Sequence, residues 1–362
     1  MLFIELINLF NKFINKKKNR TSIISFPDFD DQTRGILTHL DDQQVVILIS
    51  GDRSKKPAWL DERVLVIRKK SIHGLWMLLT SSQIFYTHGV FSGFKKVAYS
   101  RQKLINMWHG MPLKNIGLLD NKTQIPDSHY VYSTSPFFQK LMSEAFGKKL
   151  NEVLISGLPR NDILTKKVVN PALIQLKKEY DNIYVWLPTY RKSSIGDIRE
   201  DGGSTSLYCF DDFDVDKLNE ILKEKNSLVI IKPHPMAVLD KVNDEHSNIK
   251  IINEDWLFFN GMTLYELLGA SDMLWTDFSS VFVDYLLTQK PILFLIPDLE
   301  EYKCNRGLTF ELNEIELPGV VLQEEDSLFA YLTSDSDAST CAKDKVFNTV
   351  HNFSLLQVSN SK

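Results

Sequence analysis

Residues 264–302, LYELLGASDMLWTDFSSVFVDYLLTQKPILFLIPDLEEY, constrain the fold more than any other stretch of the chain. Their apolar periodicity predicts a helix over 264–270, a short buried strand over 273–275, a polar turn at 276–280, a second helix over 281–288 and a strand over 292–296. A strand that enters a helix through a polar turn and returns as a parallel strand belongs to a doubly wound α/β sheet. Thr276, Asp277, Ser279 and Ser280 stand where the second helix begins. Free backbone N–H groups and hydroxyls would gather there at the positive end of the helix dipole, which suits an anion. The same residue types also make ordinary helix caps.

Short apolar runs at 45–50, 64–67, 84–87, 104–107 and 153–155 repeat the strand form in the first half, and 184–187, 227–231 and 249–252 repeat it in the second. Ligands of such sheets collect beyond the carboxyl ends of the strands. Several of these ends are polar: Thr87-His88-Gly89, Trp108-His109-Gly110, the run 156–162 containing Arg160, Pro188-Thr189-Tyr190-Arg191, and Lys232-Pro233-His234-Pro235. His109 ends a buried strand, Gly110 lets the backbone turn closely, and Lys114 follows four residues later. An imidazole there suits proton transfer near neutral pH, although a lone loop histidine is also commonly a hydrogen-bonded support. His88 keeps that supporting role, and His73 and His129 are unassigned. Lys232 and His234 lie in a turn stiffened by two prolines, and Arg306-Gly307 could add a bidentate contact to phosphate.

The 362 residues are 43% hydrophobic and 24% charged, enough for two α/β domains and too apolar for disorder. A net charge of −4 supplies no basic field, so nucleic acid is not an expected partner. Three scattered cysteines, Cys209, Cys304 and Cys341, lack metal spacing and suit a reducing compartment. No apolar run is long enough to span a bilayer. Residues 1–20 read as an amphipathic helix with a basic tail, Phe3, Leu6, Ile7, Phe10, Phe13 and Ile14 on one side and Lys16, Lys17, Lys18 and Arg20 after it. Such a segment either lies on an anionic membrane surface or packs as a first helix. On the membrane reading, removing 1–20 weakens liposome binding and leaves the fold intact.

GxxxxGK[ST], GxGxxG and GxSxG are absent, and the aspartates form no tight metal-ligand cluster. No cofactor is required; a divalent cation such as Mg is compatible but not indicated. Charge stabilisation then falls to Lys, Arg, His and a helix start.

Taken together, MWHGMPLKNIG (107–117), SGLPRNDIL (156–164), LPTYR (187–191), IKPHP (231–235), the block 271–302 and Arg306-Gly307 resemble the CDP-glycerol glycerophosphotransferase family of teichoic-acid and capsule enzymes. The resemblance implies a GT-B-like α/β fold, two Rossmann-like lobes with the active site in the cleft between them. The lobes would be an acceptor-side domain over 21–180 and a CDP-donor domain over 181–345, with a tail at 346–362. It implies transfer of glycerol phosphate or another polyol phosphate, such as ribitol phosphate, from a CDP-activated donor to a hydroxyl of a lipid-linked saccharide or polyol-phosphate acceptor, releasing CMP. The place of work would be the cytoplasmic face of the membrane, as a peripheral protein. Carried over by position, His109 and His234 are the catalytic pair. Gly110, Lys114, Arg160, Thr189, Arg191, Lys232, Thr276, Asp277, Ser279, Ser280 and Arg306 would bind substrate. Met111 departs from the family's usual threonine and Phe278 from its usual tyrosine, which leaves the polyol open. A nucleotide-sugar glycosyltransferase and a non-catalytic subunit of a surface-polymer complex are the competing readings. Oligomeric state is not legible.

Overall fold

The first sheet is built around a strand with little hydrophobic signal. In the computed structural model, Lys17–Ile24 (β1) is the third of seven parallel strands. The residues described are 2–51, 56–90, 101–113, 115–120, 125–188, 207–210, 212–233, 246–277, 279–297, 317–334, 347 and 350–351. The other strands are Gln44–Ile49 (β2), Leu65–Arg68 (β3), Ser81–Tyr86 (β4), Lys103–Asn106 (β5), Tyr130–Ser133 (β6) and Val153–Ile155 (β7), in the order β3-β2-β1-β4-β5-β6-β7. Thr21 and Ser22 of β1 are fully buried, and the Ser22 and Ser81 hydroxyls hydrogen-bond at 2.7 Å across to β4. That pairing offsets the cost of taking Ser22 out of water, whereas the buried Thr21 hydroxyl has no hydrogen-bond partner among the described residues.

Alternate residues then supply two separate cores, as the period of a strand demands. Ile23, Ile47, Phe85 and Ile105 pack on one face; Ile24, Val46, Leu48, Ile84 and Leu104 pack on the other. The helices of this unit include α1 (Leu2–Phe13), α2 (Asp31–Leu37) and α3 (Ile72–Thr80).

Finding β1 at Lys17 corrects the reading of residues 1–20 as one helix with a basic tail. The helix ends at Phe13, and the basic run starts a central strand. Lys16 donates to the Leu79 carbonyl at 2.7 Å and also to Asn11, while Arg20 is buried and donates to Gln44 Oε1 at 2.9 Å. Removing residues 1–20 would delete half of β1, so the fold would not survive the truncation intact.

The second sheet holds Asn182–Leu187 (β8), Ser227–Ile231 (β9), Ile249–Ile251 (β10), Met273–Thr276 (β11), Ile292–Leu295 (β12) and Val320–Leu322 (β13), in the order β10-β9-β8-β11-β12-β13 and parallel throughout. Its core gathers Trp186, Trp275, Val229, Ile231, Leu293 and Leu295. Both sheets carry the strand order of a Rossmann-like unit, in which the direction of winding reverses once. That reversal lies between β1 and β4 in the first sheet and between β8 and β11 in the second. The chain divides into one compact unit of residues 1–111, 116–163 and 350–362 and another of 112–115 and 164–349. The buried Val350 and His351 belong to the first.

Candidate active site

In the first unit, polar residues converge where β1, β4 and β5 end. Past Asn106 the chain turns through Trp108, which holds φ at +55°, then His109, then Gly110 at φ +140°. A positive φ on a tryptophan stores strain of about 1–3 kcal/mol, which the surroundings must hold. Three contacts do so. The Trp108 N–H donates to Asn106 Oδ1 at 2.9 Å, Gln32 Nε2 of α2 donates to the Trp108 carbonyl at 3.2 Å, and Arg160 Nη1 donates to the His109 carbonyl at 3.0 Å. Gln32 also accepts the Arg160 backbone N–H at 3.2 Å, so one buried amide ties both loops together. The approach of α2 needs Gly35, where a Cβ would stand 2.1 Å from the Pro159 carbonyl oxygen.

The His109 side chain is exposed, and two rings pack on it. His88 stacks parallel, with centroids 4.2 Å apart and planes within 6°; Trp108 lies at 4.1 Å, tilted by 34°. His88 is itself anchored. Its Nδ1 is 2.9 Å from the Thr87 hydroxyl, which accepts the Phe26 N–H at 3.1 Å, and the Phe26 ring meets it edge-on at 5.6 Å. Part of His88 reaches solvent, but this enclosure strips water from the ring and pushes its pKa down to about 4. Asp30 caps α2 by accepting the Thr33 N–H at 2.8 Å. Burial raises its pKa to about 7, against the opposing pull of that hydrogen bond and of the Arg160 charge.

His109, Gly110 and Arg160 are therefore brought together. Met111 is fully buried behind them. Sequence reasoning missed His88, Gln32 and Asp30. The signal for His88 was present: Thr87-His88-Gly89 repeats the strand-end His-Gly of Trp108-His109-Gly110, and β4 and β5 are neighbours.

In the second unit the expected phosphate turn sits at the winding reversal, with a different use of its groups. Thr276 is fully buried and donates its hydroxyl to the Leu187 carbonyl at 3.1 Å, tying β11 to β8. Its hydroxyl proton is engaged by the scaffold in this structure, so a phosphate contact from that hydroxyl would require the bond to be exchanged. Asp277 is likewise fully buried. The helix after them is Val281–Tyr285 followed by one 3-10 turn, Leu286–Thr288, so its dipole is weaker than an eight-residue helix would give. Ser279 accepts the Val281 N–H at the long distance of 3.5 Å, and Ser280 makes no side-chain cap; both are half-buried. Lys232 is buried and its Nζ lies 2.7 Å from Glu254 Oε1, so the cation expected to line a phosphate site is already neutralised. Lys114, Thr189, Arg191, His234 and Arg306 lie outside the described residues. Among the described residues, no group of three or more His, Cys, Asp or Glu side chains is placed to hold a metal ion, and no helix is long and apolar enough to cross a membrane.

An exposed imidazole on a rigid, strained turn can take a proton from a hydroxyl, and half-buried serines at a helix start can donate to an anion. Known proteins resemble this chain in sequence and in fold. The teichoic acid glycerol-phosphate primase of Bacillus subtilis is 29% identical over 290 residues, 75% of this chain and 69% of that protein. The ribitol-phosphate polymerase TarL of Staphylococcus aureus is 27% identical over 261 residues, 65% of this chain and 42% of that protein. The ribitol-phosphate primase of Bacillus spizizenii is 27% identical over 221 residues, 59% of this chain and 53% of that protein. The chain thus spans about half the length of these two ribitol-phosphate relatives. The wall teichoic acid polymerase TagF superposes with a TM-score of 0.75 at 19% identity, over 96% of this chain and 88% of that one, a likeness of fold. The profile of one family runs from residue 6 to residue 361, and on that match the chain belongs to the CDP-glycerol:poly(glycerophosphate) glycerophosphotransferases.

Proposed function

We propose that this chain transfers a polyol phosphate from a CDP-activated donor to a hydroxyl of a lipid-linked acceptor. The observation that carries this reading is the exposed His109 imidazole on a braced turn, in a chain matched by the family from end to end. The acceptor oxygen attacks the phosphorus that bears the polyol, the bond from that phosphorus to the bridging oxygen breaks, and CMP leaves with the electron pair. His109 takes the hydroxyl proton as the new P–O bond forms. Arg160 fixes the His109 backbone, and Ser279 and Ser280 donate to donor phosphate oxygens. By the family resemblance, His234 and Arg306, which lie outside the described residues, would complete the charge neutralisation.

The purified protein, given CDP-glycerol, CDP-ribitol and several sugar nucleotides with a lipid-linked acceptor, should release CMP from a CDP-polyol alone. Consumption of a sugar nucleotide only would favour a glycosyltransferase; no turnover of any donor would favour a non-catalytic subunit.

Attachment to an anionic membrane surface is part of the reading. Ile7 of α1 and Ile14 just after it pack with Leu75 and Leu79 of α3. The outer faces of both helices stay uncovered: Phe13 is 76% exposed, Ile72 92% and Trp76 54%, with Leu9 and Phe10 also exposed and Lys12, Lys17, Lys18 and Lys70 exposed nearby in sequence. Apolar side chains with lysines suit insertion into the headgroup layer. Exchanging Leu9, Phe10 and Phe13 for serine, which leaves β1 whole, should weaken binding to phosphatidylglycerol vesicles; unchanged binding would remove this surface from the account.

A further inference from the structure

The winding reversal of the first sheet lies between β1 and β4, and His88 follows the end of β4. Doubly wound sheets leave their ligand crevice at such reversals. His88 is the ring that joins this point to His109 on the next strand: Phe26 after β1 meets His88 edge-on, and His88 stacks face to face on His109. The main chain reinforces it, since the Phe26 N–H donates to the Thr87 hydroxyl, which also hydrogen-bonds with His88 Nδ1 at 2.9 Å.

We propose that His88 is a positioning residue for His109, an aromatic plate that fixes the rotamer of the proton-accepting ring. The inference rests on the polyol-phosphate transfer reading for its meaning. The geometry gives the plate three properties. Parallel rings 4.2 Å apart restrict rotation of the His109 side chain, so less entropy is lost when the hydroxyl is aligned. A neutral π-face favours a cation above it. Loss of water around part of the His88 ring lowers its pKa, which disfavours a second positive charge in the stack. Among the described residues, the charged groups tied to this stack include Arg160, which donates to the His109 carbonyl, and Asp30, which lies within the field of Arg160.

The test compares His88→Ala, His88→Phe and His88→Gln in CMP release from the CDP-polyol the wild type uses. Ala should lower kcat about tenfold to a hundredfold with KM for the donor within about threefold. Phe keeps the plate and should recover most of kcat; Gln keeps an N–H donor without a ring and should stay near Ala. Recovery by Gln and not by Phe would overturn the proposal, because it would make His88 a direct hydrogen-bond contact to substrate. An Ala variant within twofold of wild type would overturn it equally. Melting curves separate unfolding from lost positioning, and Phe remains informative if Ala does not fold. Wild type that turns over no CDP-polyol would instead indict the reading of the reaction. In that case, the ring order of His109, read by histidine side-chain NMR relaxation in wild type and His88→Phe against His88→Ala, still decides whether the plate exists.

Discussion

The two units end their central strands in polar residues, yet they secure them in opposite ways. In the first, the His109 ring is exposed and the supports of its turn are hidden: Gln32 and Asn106 are buried, and their bonds go to the turn that carries it. In the second, residues expected to meet the ligand are themselves the supports. Thr276 ties two strands, and Lys232 answers Glu254. Among the described residues of that turn, Ser279 and Ser280 remain half-open. The first unit is thus built to hold one group in one orientation, and the second to stay neutral inside while presenting hydroxyls. On this reading, damage to the first should appear in kcat and damage to the second in KM.

The largest effect expected is that of His109→Ala, a loss of about 10²–10⁴ in kcat at nearly unchanged donor KM. Ser279→Ala with Ser280→Ala should raise KM by about tenfold and leave kcat within about threefold, the loss expected from a pair of hydrogen bonds to a charged group. Steady-state CMP release reads both, and an equal split in the two variants would break the comparison.

Next is Gln32→Ala. It leaves the Trp108 carbonyl and the Arg160 N–H without their partner, so unfolding free energy should fall by about 3 kcal/mol and turnover should fall with it. Denaturant melts check the first part. A stable Gln32→Ala protein with full activity would show that the strained turn at Trp108 needs no brace.

Removing the partner of Lys232 sharpens the other half. Glu254→Gln leaves a buried ammonium uncompensated; because the Glu254 side chain is 34% exposed, about 2 kcal/mol of stability should go. The double change Lys232→Met with Glu254→Leu should restore stability to within about 1 kcal/mol. If the double variant also keeps donor KM, Lys232 is scaffold; a large rise in KM would return it to the ligand.

The smallest effect is on pH dependence, and both titrating groups belong to the first unit. Asp30 has a folded pKa of about 7 against an ordinary 3.8, so the folded state holds the extra proton between these values, and stability falls as pH rises through that window. Asp30→Asn keeps a capping oxygen and removes the slope, gaining about 1–2 kcal/mol over wild type at pH 8 and little at pH 5. His88 works in the other sense. Its folded pKa of about 4 lies below the ordinary 6.5, so its contribution is present above 6.5 and is lost as pH falls toward 4. His88→Phe should flatten that acid side. Thermal melts across pH 4–8 read both, and a flat wild-type profile would contradict both assignments.

Legibility in the sequence followed the hydrophobic run. Runs such as VVILI and SLVII gave their strands closely, Gln44–Ile49 and Ser227–Ile231 in the fold, because burial on both faces demands continuous apolar residues. The central β1, KKNRTSII, was invisible for the converse reason: its buried Thr21 and Ser22 read as polar. The short β6, YVYS, and β13, VVL, escaped with it. The site shows the same divide. His109 and Arg160 were readable as polar residues beyond strand ends, whereas the His88 stack depends on which strands are neighbours. The spent hydroxyl of Thr276 and the paired charge of Lys232 depend on partners 89 and 22 residues away in sequence, Leu187 and Glu254. A motif supplies the residue types but not how many of their hydrogen bonds the scaffold has already taken.

The most direct test of His109 as the proton acceptor is single-turnover CMP release from CDP-glycerol and CDP-ribitol by wild type and His109→Ala, with donor above saturation and a lipid-linked acceptor. The expected result is rapid release from one CDP-polyol by wild type and a rate at least about a hundredfold lower in the variant. Release at the same rate by both proteins would contradict it, because the exposed ring at the end of β5 would then have no part in moving the proton.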